Sequence, residues 1–178
     1  MTERIIFAGF GGQGVILAGK ITCIAAMREG KKVSHIPSYG AEMRGGTANC
    51  GVVVSDEPVA SPLVRRPSIC VVMNKPSLLK FEETLQEGGL LIWNESLIDI
   101  KPKRKDIQTV AVKANDLAQE EGSVRAANMV ILGLLAKLKP QMASLDAVIG
   151  AMKEGVSARN KELNDINEAA LKRGFSLS

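Results

Sequence analysis

The stretch Arg4-Ile5-Ile6-Phe7-Ala8, continued by Gly9-Phe10-Gly11-Gly12-Gln13-Gly14 and then by an apolar run from Val15 to Met27, decides the fold. It predicts a short strand, a glycine-rich turn and a helix, in that order. Gly9 permits the sharp exit from the strand, Gly11 lets backbone N–H groups approach a ligand oxygen, and Gly14 lets the helix pack close to the sheet. The helix aims its unpaired N–H groups and positive dipole end at whatever sits above the turn. Gly9, Gly11, Gly12, Gln13 and Gly14 are therefore candidate anion- or phosphate-binding residues, against the alternative of a purely structural turn. A dinucleotide site of this kind also needs an acid about 20 residues on, at the tip of the second strand. That tip here reads Pro37-Ser38-Tyr39-Gly40. Glu29 has roughly the required spacing but falls at the helix end, before Gly30, and would face the wrong end of the sheet. The turn is present and the NAD-selecting acid is absent.

Beyond the helix, Lys31 to Ser38 reads as a second strand centred on Lys32–Ile36, and Thr47 to Ser55 as a third. A parallel crossover needs roughly a dozen residues, more than separate these two strands, so they should run antiparallel. The first two strands, joined through the helix, are parallel and end on the same edge. The glycine turn and the Tyr39–Gly46 loop should then face each other across one crevice, where open α/β sheets bind ligands. Glu42 and Arg44 point the same way in an extended loop. They could pair with each other, or Arg44 could grip a ligand carboxylate or phosphate with its two-pronged guanidinium. Tyr39 offers a hydroxyl and a flat face. Ser38, Tyr39, Glu42, Arg44, Gly45, Gly46, Thr47 and Asn49 thus face either a ligand or a neighbouring subunit.

The remainder fits an α/β, Rossmann-like three-layer fold with a mixed, mostly parallel sheet and a helical C-terminal third, as one domain over residues 1–178. Pro58, Pro62 and Pro67 mark an extended connector with Arg65-Arg66 exposed. Ser68 to Met73 is a doubly covered strand. Pro76 opens a helix through about Gln86, with Leu78, Leu79 and Leu85 buried. Strands at Leu90–Trp93 and Ile107–Val112 flank a basic loop, Lys101-Pro102-Lys103-Arg104-Lys105, read as a solvated tip or, less simply, as a contact for an acidic partner or a phosphate. Helices follow at 115–121, 123–139, 144–153 and 158–173, the last ending at Gly174. The run Met129 to Leu135 is apolar all round. Such a helix is buried all round, by central packing or by a protein partner.

Charge and composition narrow the function classes. A net charge of +4 and 3% aromatic residues argue against nucleic acid as a partner. No apolar run reaches membrane-spanning length and no signal peptide precedes the first strand, so a cytoplasmic protein is expected. Cys23, Cys50 and Cys70 form no CxxC or CxH pair, so zinc and iron–sulfur sites are not built from this chain alone. His35, the one histidine, alternates with Val33 in a strand and reads as a sheet-face residue. No nucleophile is paired with a base in a recognisable signature, and no catalytic residue is assigned.

The turn Gly9-Phe10-Gly11-Gly12-Gln13-Gly14-Val15 with Ala18-Gly19, and the loop Pro37-Ser38-Tyr39-Gly40-Ala41-Glu42-Met43-Arg44-Gly45-Gly46-Thr47-Ala48-Asn49-Cys50, resemble the gamma subunit of 2-oxoacid:ferredoxin oxidoreductases. Ala127-Asn128-Met129 and Leu132-Gly133 fit the same pattern, so the resemblance runs from the first strand to about Leu138. The wording Glu42-Met43-Arg44-Gly45-Gly46-Thr47 is more similar to the 2-oxoglutarate type than to the pyruvate type; branched-chain enzymes are hard to separate from it. The resemblance implies oxidative decarboxylation of a 2-oxoacid to an acyl-coenzyme A, with thiamine diphosphate, Mg and [4Fe–4S] clusters on companion subunits. Those companions would be alpha and beta (thiamine-binding) subunits and a ferredoxin-like delta subunit, with ferredoxin as electron acceptor. The chain would complete the active-site wall and be inactive alone, and the glycine turn would suit coenzyme A phosphates. The alternatives are the small subunit of an indolepyruvate oxidoreductase and a stand-alone nucleotide-binding protein.

Overall fold

A computed structural model describes residues 1–40, 46–155 and 161–177. Glu42, Arg44 and Gly45 lie outside the described residues. Strand β1 (Thr2–Phe10) leads through the glycine turn into helix α1 (Val15–Arg28), then β2 (Lys32–Tyr39) and β3 (Thr47–Ser55). Next come β4 (Ile69–Val72), α2 (Lys75–Phe81), β5 (Leu90–Asn94), β6 (Gln108–Val112) and α3 (Ala114–Glu120). After a 3-10 turn at Val124–Ala126 the chain ends in α4 (Ala127–Leu138), α5 (Leu145–Gly155) and α6 (Lys161–Phe175).

The six strands form one sheet in the order β2-β3-β1-β4-β5-β6. β3 is antiparallel to both β2 and β1, while β1, β4, β5 and β6 run parallel. The mixed sheet expected from the short second connection is therefore present, with β3 inserted between the two strands that α1 joins. Alternation along β1 splits the core. Ile5 and Phe7 pack with α1 and α4, whereas Ile6 and Ala8 pack with Leu78 of α2 and with Trp93 on the other face.

The structure corrects four details of the expected packing. First, the helix after Pro76 stops at Phe81, so Leu79, one residue round from the buried Leu78, is 50% exposed. Second, Gly174 does not end the last helix but lies within α6. A Cβ there would strike the Val130 carbonyl, and one on Gly133 would strike the Leu171 carbonyl, 2.8 Å from its carbon. The two glycines let α4 and α6 cross almost backbone to backbone. Third, residues 127–136 are all buried within the chain itself, α4 being packed by α6, α3, α5 and α1. Central packing, not a partner, accounts for its apolarity.

Fourth, the basic loop is only partly a solvated tip. Arg104 reaches back to Asp106 and to the Glu82 carbonyl, and the Glu82 carboxylate accepts the backbone N–H of Arg104 at 2.8 Å. His35 is half-buried against α1 at Gly19, and burial lowers its pKa, leaving it neutral near pH 7. No helix among the described residues is long and apolar enough to cross a membrane.

Candidate functional site

At the carboxyl rim of the sheet, the loops after β1 and β4 diverge to opposite faces, α1 to one and α2 to the other. This is the switch point at which open α/β sheets bind ligands. Gly12 and Gly14 hold φ of +97° and +71°, left-handed conformations that side chains disfavour. That turn delivers the chain into α1, whose first amides receive no side-chain cap. Gln13 locks the turn from inside. Its carbonyl oxygen accepts the Phe10 N–H at 2.7 Å, and its amide donates to the Met73 carbonyl at the end of β4 at 3.3 Å. Gln13, a ligand candidate from its place in the sequence, thus braces the turn across the switch point and also lines the cleft beside it.

The two glycine-bearing segments share this rim. Gly9 and Phe10 pair with Ala48 and Thr47, Ser38 pairs with Asn49, and the Gly11 N–H donates to the Gly46 carbonyl at 2.8 Å. The described flanks are thus stitched together instead of being held apart. Tyr39 is 53% exposed at the tip of β2, and Ser38 and Thr47 are exposed beside it. The open cleft lies on the turn's other flank. It encloses about 170 Å³ between Gly12, Gln13 and Met73 on one side and Asn115, Val124, Arg125 and Ala127 on the other. Among the described residues the Arg125 guanidinium meets no carboxylate.

Arg125 and Asn115 line the cleft and Asn94 braces Asn115, three residues that the sequence did not single out, while Asn128 had entered only within the Ala127-Asn128-Met129 pattern. Asn94, fully buried at the end of β5, donates to Asn115 at 2.8 Å and accepts the Ala114 N–H. Asn128, 5% exposed, donates to the Gly14 carbonyl at 3.2 Å while its own oxygen has no partner. A signal was available. Arg125 and Asn128 are the polar residues at the head of a helix that is otherwise apolar all round, which places them at the rim. Glu29, the residue with dinucleotide spacing, accepts the backbone and hydroxyl of Ser144, and these bonds lower its pKa. It joins α1 to the start of α5, at the far end from the turn.

The arrangement offers backbone N–H groups, a helix N-terminus and one guanidinium, which is chemistry for holding an anion. It contains no nucleophile–base pair. The three thiols are buried and burial pushes each up to about 12, so none is a thiolate at neutral pH. Among the described residues no group of three or more His, Cys, Asp or Glu could hold a metal ion.

Comparison with known proteins agrees with this architecture. Ketoisovalerate oxidoreductase subunit VorA of Methanothermobacter marburgensis is 38% identical over 171 residues, covering 96% of this chain but 35% of VorA. The chain thus spans about a third of the length of that relative. 2-Oxoglutarate synthase subunit KorC of Methanocaldococcus jannaschii is 33% identical over 181 residues, with 100% of this chain and 95% of KorC covered. The crystal structure of the keto/oxoacid ferredoxin oxidoreductase gamma subunit from Geobacter sulfurreducens PCA superposes with a TM-score of 0.83 at 30% identity, covering 97% of this chain and 96% of that one. The model of the family described as pyruvate ferredoxin/flavodoxin oxidoreductase matches residues 4–177, and to that family the chain belongs.

Proposed function

We propose that this chain is the gamma-type component of a multi-subunit 2-oxoacid:ferredoxin oxidoreductase, a single domain over residues 1–178, and that it contributes the coenzyme A-facing wall of a shared active site. When bound on companion alpha, beta and delta subunits, thiamine diphosphate with Mg supplies the carbanion chemistry and [4Fe–4S] clusters carry single electrons to ferredoxin. This chain's described residues offer no ligand set for either group. Its own part is to bind and orient. The cleft over the glycine turn carries the reading: Gly12 and Gln13 of the turn and Arg125 across from them line a volume of about 170 Å³, and a guanidinium beside a helix N-terminus suits a phosphate group. A tightly bound NAD is not supported, because the β2 tip ends in Tyr39 where an acid would be needed. KorC and VorA act on different 2-oxoacids; the loop wording around Glu42 and Arg44 favours 2-oxoglutarate.

The test is steady-state kinetics on the complex assembled by co-expression. Arg125→Ala should raise the KM for coenzyme A about tenfold or more, the value of one charge-assisted phosphate contact, while the KM for the 2-oxoacid is unchanged. An unchanged KM for coenzyme A would remove the cleft from the reading. Oxidation of a 2-oxoacid by the isolated polypeptide would remove the subunit role itself.

A further inference from the structure

At the opposite rim of the sheet from the glycine turn lies an open cleft of about 430 Å³, lined by Arg4, Ser61, Leu63, Arg65 and Arg66. Its walls come from the amino ends of two adjacent parallel strands. Arg4 stands near the start of β1 and Arg65-Arg66 lead into β4. The segment carrying them is braced. The Ser68 N–H donates to the Arg4 carbonyl at 2.8 Å, the Arg4 N–H donates to the Ser68 hydroxyl at 2.9 Å, and the Pro67 carbonyl accepts the Gln86 N–H at 2.9 Å. Arg28, Arg104 and Arg173 each meet a carboxylate. The guanidiniums of Arg4, Arg65 and Arg66 meet none among the described residues.

Three unneutralised cations lining one cleft, Arg4 on β1 and Arg65-Arg66 on the braced segment, repel one another, and an external carboxylate surface relieves that repulsion. Leu63 lies among them and is 55% exposed. Beside the cleft, on the same face, Ile36 of the edge strand β2 is 37% exposed, and the main contacts of α2 are with β4 and β1. A leucine ringed by forked cations suits a polypeptide, which brings apolar side chains together with its carboxylates, better than a small anion or a phosphate backbone. We propose that this cleft docks an acidic segment of the companion thiamine-binding subunit, an inference that rests on the subunit reading above. The chain then has two working rims, one facing ligand and the other holding its partner.

The experiment is co-expression of the full chain with the thiamine-binding subunits, followed by affinity capture over a potassium chloride series. R65E/R66E should weaken capture by about tenfold or more and wild-type capture should fall steeply with salt, while R65K/R66K keeps most of it. Leu63→Asp, at an exposed position, should also block capture, and circular dichroism of each lone chain should match wild type. Undiminished capture by R65E/R66E, or capture indifferent to salt, overturns this inference alone. A wild-type chain that captures no thiamine-binding subunit overturns both this inference and the subunit reading.

Discussion

Replacing Gly14 by alanine tests the turn at its tightest point. Its φ of +71° is left-handed, which costs an alanine roughly 1–2 kcal/mol. The added Cβ would also collide with the Asn128 amide group, 2.9 Å from its Cγ. Asn128 must then move, breaking its bond to the Gly14 carbonyl, a loss of about 1 kcal/mol for a buried amide. Gly14→Ala should therefore destabilise the chain by about 2–3 kcal/mol. Gly12→Ala is the internal comparison, because φ there is +97° but a Cβ meets nothing within 4 Å. It should cost only the conformational part, about 1–2 kcal/mol. Urea unfolding followed by circular dichroism gives both numbers, provided the slope with denaturant is unchanged. In the background of Asn128→Ala, the extra penalty at Gly14 should shrink by about 1 kcal/mol. Equal costs at Gly12 and Gly14, or a Gly14 penalty untouched by Asn128→Ala, would refute the packing argument.

The same packing and electrostatics fix other outcomes. Gly133→Ala should cost about 3 kcal/mol or more, or leave the chain unfolded, because the new methyl sits on the α6 backbone and neither helix can yield locally; thermal unfolding within 1 kcal/mol of wild type would contradict the close crossing. Gln13→Glu should weaken coenzyme A binding to the assembled complex by about tenfold, since it puts a negative charge in the turn and removes the donor to the Met73 carbonyl; calorimetric titration checks it. The Asp56 carboxyl, hydrogen-bonded to Lys31 and the N-terminal ammonium, is held down at about 2. A carboxyl depressed in the folded state stabilises above its unfolded value, near 3.9, and loses that contribution as pH falls through about 2. Asp56→Asn should flatten the stability–pH curve in that window. Cys23, Cys50 and Cys70 should resist iodoacetamide in the native chain at pH 8 and react once it is unfolded in urea, as mass spectrometry would record.

What the sequence by itself determined was local. The run from Arg4 to Met27 specified strand, turn and helix because each step uses a short-range rule: apolar strand, positive-φ glycine, 3.6-residue periodicity. The short link before Thr47 determined the antiparallel pairing of β2 and β3 by reach alone. The same reasoning put the two glycine-bearing segments on one rim. Tertiary structure decided what those local rules leave open. The insertion of β3 between β1 and β2 is a choice among pairings of similar local merit, settled by which faces bury together. The all-apolar α4 reads alike whether a partner or the chain's own helices cover it; Gly133 and Gly174, 41 positions apart in the chain, made self-covering possible by admitting α6 at backbone distance. The polar head of α4 marked a rim position in the sequence, but not what it would face: Gly12 and Arg125 belong to segments more than a hundred residues apart, and only the packing of α4 against α1 and the sheet brings them to one cleft.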